Sequence, residues 1–75
     1  MVNGGATHNF IDAPLVIKRK IHIEYFKGFD VVVAYGYKMM CTQRVKVLEL
    51  TLGNYKLTDE FYIMDLADTH VVLGV

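Results

Sequence analysis

The chain has 75 residues, and several things are scarce in it. There is one cysteine, Cys41, and one proline, Pro14. A lone cysteine excludes an intrachain disulfide, and it leaves no Cys-x-x-Cys pair for a structural zinc. Cys41 therefore reads as a small apolar strand residue in a reducing, intracellular and cytoplasmic setting. Charge of one sign is also missing. Eight acidic and eight basic residues give a formal net charge of zero, whereas a dedicated nucleic-acid binder carries a basic excess. Lys18-Arg19-Lys20 is too short a run to change that and reads as a solvated helix end. No apolar stretch approaches the ~20 residues of a membrane span, and no basic-then-apolar leader opens the sequence. Neither nucleic acid nor membrane is expected as a partner, and no cofactor or metal is expected. Linkers, low-complexity tracts and internal repeats are absent too. One small domain over residues 1–75 is expected, with a core of marginal size. Without disulfide or metal, self-association is the remaining source of stability.

What is present is a β pattern. Ile21-His22-Ile23-Glu24-Tyr25 alternates apolar and polar, as a strand with one buried face does. Lys27-Gly28 reads as a turn. Phe29 to Tyr35 contains the β-branched run Val31-Val32-Val33, Gly36 reads as a hairpin tip, and Tyr37 to Thr42 returns. Val45-Lys46-Val47 and Leu50-Thr51-Leu52 alternate until Gly53-Asn54, a hairpin signal. Tyr55-Lys56-Leu57 and Phe61 to Met64 resume the pattern. Asp65 and Asp68-Thr69 mark a loop, and Val71-Val72-Leu73-Gly74-Val75 closes as a short strand. Thr7, His8 or Asn9 predicts a helix cap, with a helix from Phe10 to about Lys20 that tolerates Pro14 in its first turn. The fold class is all-β with one short helix, a small barrel or sandwich.

The run Asn3-Gly4-Gly5-Ala6-Thr7-His8-Asn9-Phe10-Ile11 follows the apolar Val2. A glycine pair after an apolar strand end permits a narrow loop that holds up the polar residue before it. This run resembles the active-site loop of retropepsin-like aspartic peptidases, in the Asp-x-Gly-Ala-Thr-His-Asn-Phe-Ile form of Ty3/gypsy-type retrotransposon polyproteins. The resemblance extends along the chain. Val33 to Met40 matches a flap hairpin, Val45 to Met64 a long hairpin, and Val72-Leu73-Gly74 the strand beneath the catalytic loop. It implies a retropepsin-like half-barrel truncated at both ends: a trimmed domain, a polyprotein fragment or a small gene derived from one. It further implies a homodimer in which each copy supplies half an active site for an extended peptide or polyprotein segment. Ala6, Tyr35, Gly36 and Tyr37 would line the substrate.

At the position that carries the chemistry, this chain has Asn3 where the family has Asp. Paired carboxylates share a proton, one activating water and the other polarising the scissile carbonyl. An amide does not ionise in the useful range, so an Asn3 pair has no base, and general base catalysis alone is worth ~10²–10⁴-fold. The chain is expected to be inactive as written, through deliberate or natural loss of the Asp. Gly4 lacks the hydroxyl with which many relatives bridge the two halves. Weaker candidates are His8, with His22 and His70, for metal, and Asp12, Asp65 and Asp68 as a substitute acid. These read better as a backbone-bonding loop residue and as turn or first-turn residues. Met39 and Met40 could join the tyrosines along a peptide groove. The alternative to a peptidase is a non-catalytic module that keeps the fold for self-association or peptide binding.

Overall fold

The computed structural model describes residues 8–74. Asn3, Gly4, Gly5 and Ala6, the cap expected at Thr7, the Met1-Val2 strand end and Val75 lie outside the described residues. The elements run β1 (Phe10–Asp12), α1 (Ala13–Lys18), β2 (Glu24–Val32), a 3₁₀ turn (Ala34–Gly36), β3 (Lys38–Leu52), β4 (Tyr55–Met64) and β5 (Val71–Val72). The strands form one sheet in the order β2-β3-β4-β1-β5. This is the all-β architecture with one short helix that the sequence implies.

Two hairpins build most of the sheet. β2 and β3 pair antiparallel from Glu24 opposite Arg44 to Val32 opposite Lys38. β3 and β4 pair antiparallel from Arg44 opposite Tyr62 to Leu52 opposite Tyr55, and Gly53-Asn54 makes the turn. β1 then inserts between β4 and β5. It runs parallel to β4, with Phe10 opposite Tyr62, and antiparallel to β5, with Phe10 opposite Val72.

The helix boundaries differ from the sequence expectation. Phe10 to Asp12 is a strand, buried throughout, and the helix starts only at Ala13. A helix would bury one face of this segment, whereas both sides are needed. Ile11 packs with Val16, Val45, Phe61 and Ile63, while Phe10 packs with Cys41 and Met64. Successive strand residues point to opposite faces, so only a strand delivers Phe10 and Ile11 to two cores at once. The helix ends in a two-bond reversal. Ile21 N donates to Val16 O and Lys20 N to Ile17 O, with Lys20 at φ 55. That is a Schellman closure with lysine in the left-handed position glycine usually takes.

Lys27-Gly28 is not a hairpin turn. It lies inside β2, where the register shifts between Tyr25 and Phe29. A bulge has the same need for a positive-φ residue as a turn does, and Gly28 has φ 92. A second shift falls between Val45 and Leu48. It reverses the strand's phase, so Val47 turns outward at 71% exposure while Leu48 and Leu50 pack on the core.

Candidate active site

Both ends of β1 are tied down by side chains. Asn9 stands at the mouth of β1 and makes four bonds. Its carbonyl accepts from Tyr62 N at 2.8 Å, and its side-chain Oδ1 accepts from Gly74 N at 2.9 Å. Its Nδ2 donates to Asp59 Oδ2 at 3.1 Å and reaches Glu60 O at 3.4 Å. At the other end of β1, Asp12 is buried and its Oδ1 accepts from Leu66 N at 2.9 Å, while its own N–H donates to His70 O. Asp12 was expected in the first turn of a helix. It occupies the N-cap position but makes no side-chain cap bond there. Its carboxylate instead fixes the loop between β4 and β5. Asp65 does close a local turn, accepting from Ala67 N at 3.1 Å.

His8, expected to bond the backbone of a loop, makes its contacts among the described residues through its ring. Its ring packs against those of Phe29 and Tyr62, with centroids 5.0 and 5.1 Å away, and is 6.2 Å from Phe10. Phe26 extends this cluster to Tyr62 at 5.5 Å, and Arg44 lies over the Phe26 ring at 5.4 Å. The same Arg44 bonds Glu24 at 3.4 Å and Glu60 at 3.1 Å, tying β2, β3 and β4 together at the base of the first hairpin. Burial, and then the nearby Glu60 carboxylate, push the Tyr62 phenol above its ordinary range. Among the described residues no group of three or more His, Cys, Asp or Glu side chains is placed to hold a metal, so His8, His22 and His70 do not converge.

The first hairpin carries the residues expected at a flap. Its tip is Ala34-Tyr35-Gly36, closed by Val33 N donating to Tyr37 O at 2.7 Å and Gly36 N to Val33 O at 3.2 Å. Tyr35, expected at the end of a strand, sits at the apex in the left-handed region at φ 62. Its side chain is 96% exposed, and Tyr37, Met39 and Met40 are exposed beside it. Below the tip lies a small cavity of about 180 Å³, lined by Phe10, Val31, Val33, Met64, Leu66 and Val72, with Asp65 as its polar member. It joins the flap strand to the start of β1 and to β5. Two wider hollows, about 430 and 490 Å³, open on the helix side around Leu15, Arg19 and Leu50 and include no flap residue.

Cys41 is fully buried on β3 within the Phe10–Met64 cluster, with Sγ 3.5 Å from Ile63 O. Burial pushes its thiol up from the ordinary range. It is packing, as the sequence reading has it.

Sequence reasoning missed the Asn9 and Asp12 ties. A signal existed for both: each is a short polar residue beside an apolar pair that the sheet buries. The geometry thus gives a short buried strand, β1, clamped at both ends by Asn9 and Asp12, and a neighbouring hairpin with an aromatic tip. A family model for retroviral aspartyl proteases matches residues 1–75. The chain belongs to this family. No curated protein and no solved structure matches it. In this retroviral aspartyl protease domain, β1 follows the Asn3-to-Thr7 sequence, and β5 (Val71–Val72) is its antiparallel neighbour. No helix among the described residues is long and apolar enough to cross a membrane.

Proposed function

We propose that the chain is a retropepsin-like domain of a Ty3/gypsy-type retrotransposon polyprotein, or of a host gene derived from one, in which Asn3 has silenced peptide hydrolysis. The observation that carries this is the whole-chain family match combined with asparagine at the position of the catalytic carboxylate. In the active parent, two copies pair about a two-fold axis. The residue-3 carboxylates share a proton, so the ionised one takes a proton from water and the protonated one polarises the scissile carbonyl. Gly4 and Gly5 shape the loop, and Ala6 borders the substrate. Tyr35, Gly36 and Tyr37 close over an extended peptide. The exposed tyrosines and methionines of the hairpin, and the apolar cavity at its base, suit that role.

Two amides in place of two carboxylates leave the water without a base. Peptide grip depends on the hairpin and the cavity, not on residue 3, so it outlasts hydrolysis. That cavity is the observation favouring the second reading, a module that binds peptide or its own copy without cutting.

The test is Asn3→Asp, assayed on denatured casein and a polyprotein-junction peptide at mildly acid pH, where a carboxylate pair holds one proton. The chain as written should show no turnover, and Asn3→Asp should show pepstatin-sensitive turnover. Pepstatin-sensitive cleavage by the unaltered chain would overturn the assignment of Asn3. A folded, dimeric Asn3→Asp that stays silent would favour the binding module.

A further inference from the structure

We propose that Asn9 is a positioning residue for the segment that bears residue 3, a single side chain that clasps the start of β1 to β4 on one side and to Gly74 on the other. The inference deepens the reading above and rests on it for its catalytic consequence.

An amide is the one small side chain with an acceptor and a donor at opposite corners of a plane. Asn9 uses both. Oδ1 takes the Gly74 N–H at 2.9 Å, and Nδ2 faces Asp59 Oδ2 at 3.1 Å and Glu60 O at 3.4 Å. Its carbonyl is also taken, by Tyr62 N at 2.8 Å. Both side-chain bonds span more than 45 residues of sequence. β1 is only three residues long and β5 only two, so the ladder between them is too short to fix its own end. The Asn9–Gly74 bond extends that pairing beyond Phe10 opposite Val72. Five residues lie between Asn3 and Asn9, and a fixed anchor at one end restricts where so short a segment can place the reacting group. Sub-ångström placement matters in such sites, since a 1 Å error costs ~10²-fold in rate.

Aspartate at this position would keep the acceptor for Gly74 but lose the donor, bringing two carboxylates face to face. Moving the amide to the partner, in Asn9→Asp with Asp59→Asn, restores an amide–carboxylate pair with the roles exchanged. Alanine removes both arms.

The experiment compares Asn9→Ala, Asn9→Asp and Asn9→Asp/Asp59→Asn with the parent. Each is made in the full chain and again with Asn3→Asp. The readouts are amide exchange at Gly74, the amide resonances of Gly4 and Gly5, and kcat and KM on the junction peptide. Asn9→Ala should speed Gly74 exchange roughly fivefold, the loss of one ordinary hydrogen bond, and should shift the Gly4 and Gly5 resonances. In the Asn3→Asp series it should lower kcat roughly 10- to 100-fold with KM changed less than about twofold. The double variant should regain most of the kcat that Asn9→Asp loses, which a loss of general stability would not produce. Unchanged Gly74 exchange and unchanged Gly4 and Gly5 resonances in Asn9→Ala would overturn the clasp. Equal losses in kcat for Asn9→Asp and the double variant would overturn it too. If Asn3→Asp has no turnover, the functional reading fails by itself, and the exchange and resonance shifts in the unaltered chain still decide for or against the clasp.

Discussion

Gly28→Ala should be among the most damaging single-methyl additions to this domain. Gly28 sits in the β2 bulge at φ 92. A Cβ built there would lie 2.8 Å from Thr42 Cγ2, 2.9 Å from the Cys41 carbonyl oxygen and 3.0 Å from Met40 Sδ. Two costs add. The left-handed backbone costs an L-residue roughly 1–2 kcal/mol. The overlap costs roughly 1–3 kcal/mol more, as overpacking does, because the Cys41 carbonyl belongs to backbone and cannot swing aside. A domain of 75 residues has roughly 4–11 kcal/mol, from ~0.05–0.15 kcal/mol per residue, so the sum is a large share. At ~4–8 °C per kcal/mol the summed cost of roughly 2–5 kcal/mol should lower the melting midpoint by roughly 8–40 °C. Gly36→Ala is the control. Gly36 has φ 77, but nothing lies within 4 Å of its Cβ position, so it should lose only the backbone cost, roughly 4–16 °C. The assay is thermal unfolding by circular dichroism on both variants, with urea unfolding for the free energies. Equal losses in the two would refute the overlap argument, and a Gly28→Ala midpoint within about 2 °C of the parent would refute the bulge argument altogether.

Alkaline stability offers a second check. Cys41 and Tyr62 both have raised pKa values in the fold, so the folded state holds their protons longer than the unfolded chain does. Their contribution is complete below the unfolded pKa values and is lost as pH rises through the folded ones. Urea midpoints should fall as pH climbs past 9, less steeply in Cys41→Ala, and a flat profile to pH 11 would contradict the burial of both groups. At the flap, Tyr35 and Tyr37 amides should exchange fast in the free protein and slow on adding a pepstatin-like peptide. Strong protection without ligand would mean the tip is packed in an interface. Sedimentation equilibrium should show a monomer–dimer equilibrium at micromolar or higher concentration, and a single monomer mass throughout would remove the two-fold site.

Much of the architecture was legible because tight turns and alternation are local signals. Gly36 and Gly53-Asn54 mark the two hairpin ends, and the long apolar alternation of β3 and β4 marks their length. The misreadings share a cause: a local signal with two structural uses. Thr-His-Asn before an apolar pair looks like a helix cap, but it precedes a three-residue strand whose identity depends on partners fifty and sixty residues away. Gly28 offers positive φ to a turn or to a bulge, and only the opposite strand decides which. The shift of apolar parity from Val45 and Val47 to Leu50 and Leu52 was visible in the sequence, and a bulge is its physical meaning. The candidate site was legible as a motif, through the Gly-Gly-Ala-Thr-His-Asn-Phe-Ile run. The clamps around it were not, since Asn9 and Asp12 reach partners by tertiary contact alone.

The sheet order has a consequence for synthesis. β1 is made first, yet its two neighbours are β4 and β5, which leave the ribosome last. Until Tyr62 to Met64 emerge, β1 has no strand to pair with, and its second neighbour, β5, comes later still, while the two hairpins close on local contacts. Long loops must shut before that pairing gives any return. The first strand made therefore waits unpaired through the synthesis of both hairpins, and its insertion between β4 and β5 closes the sheet.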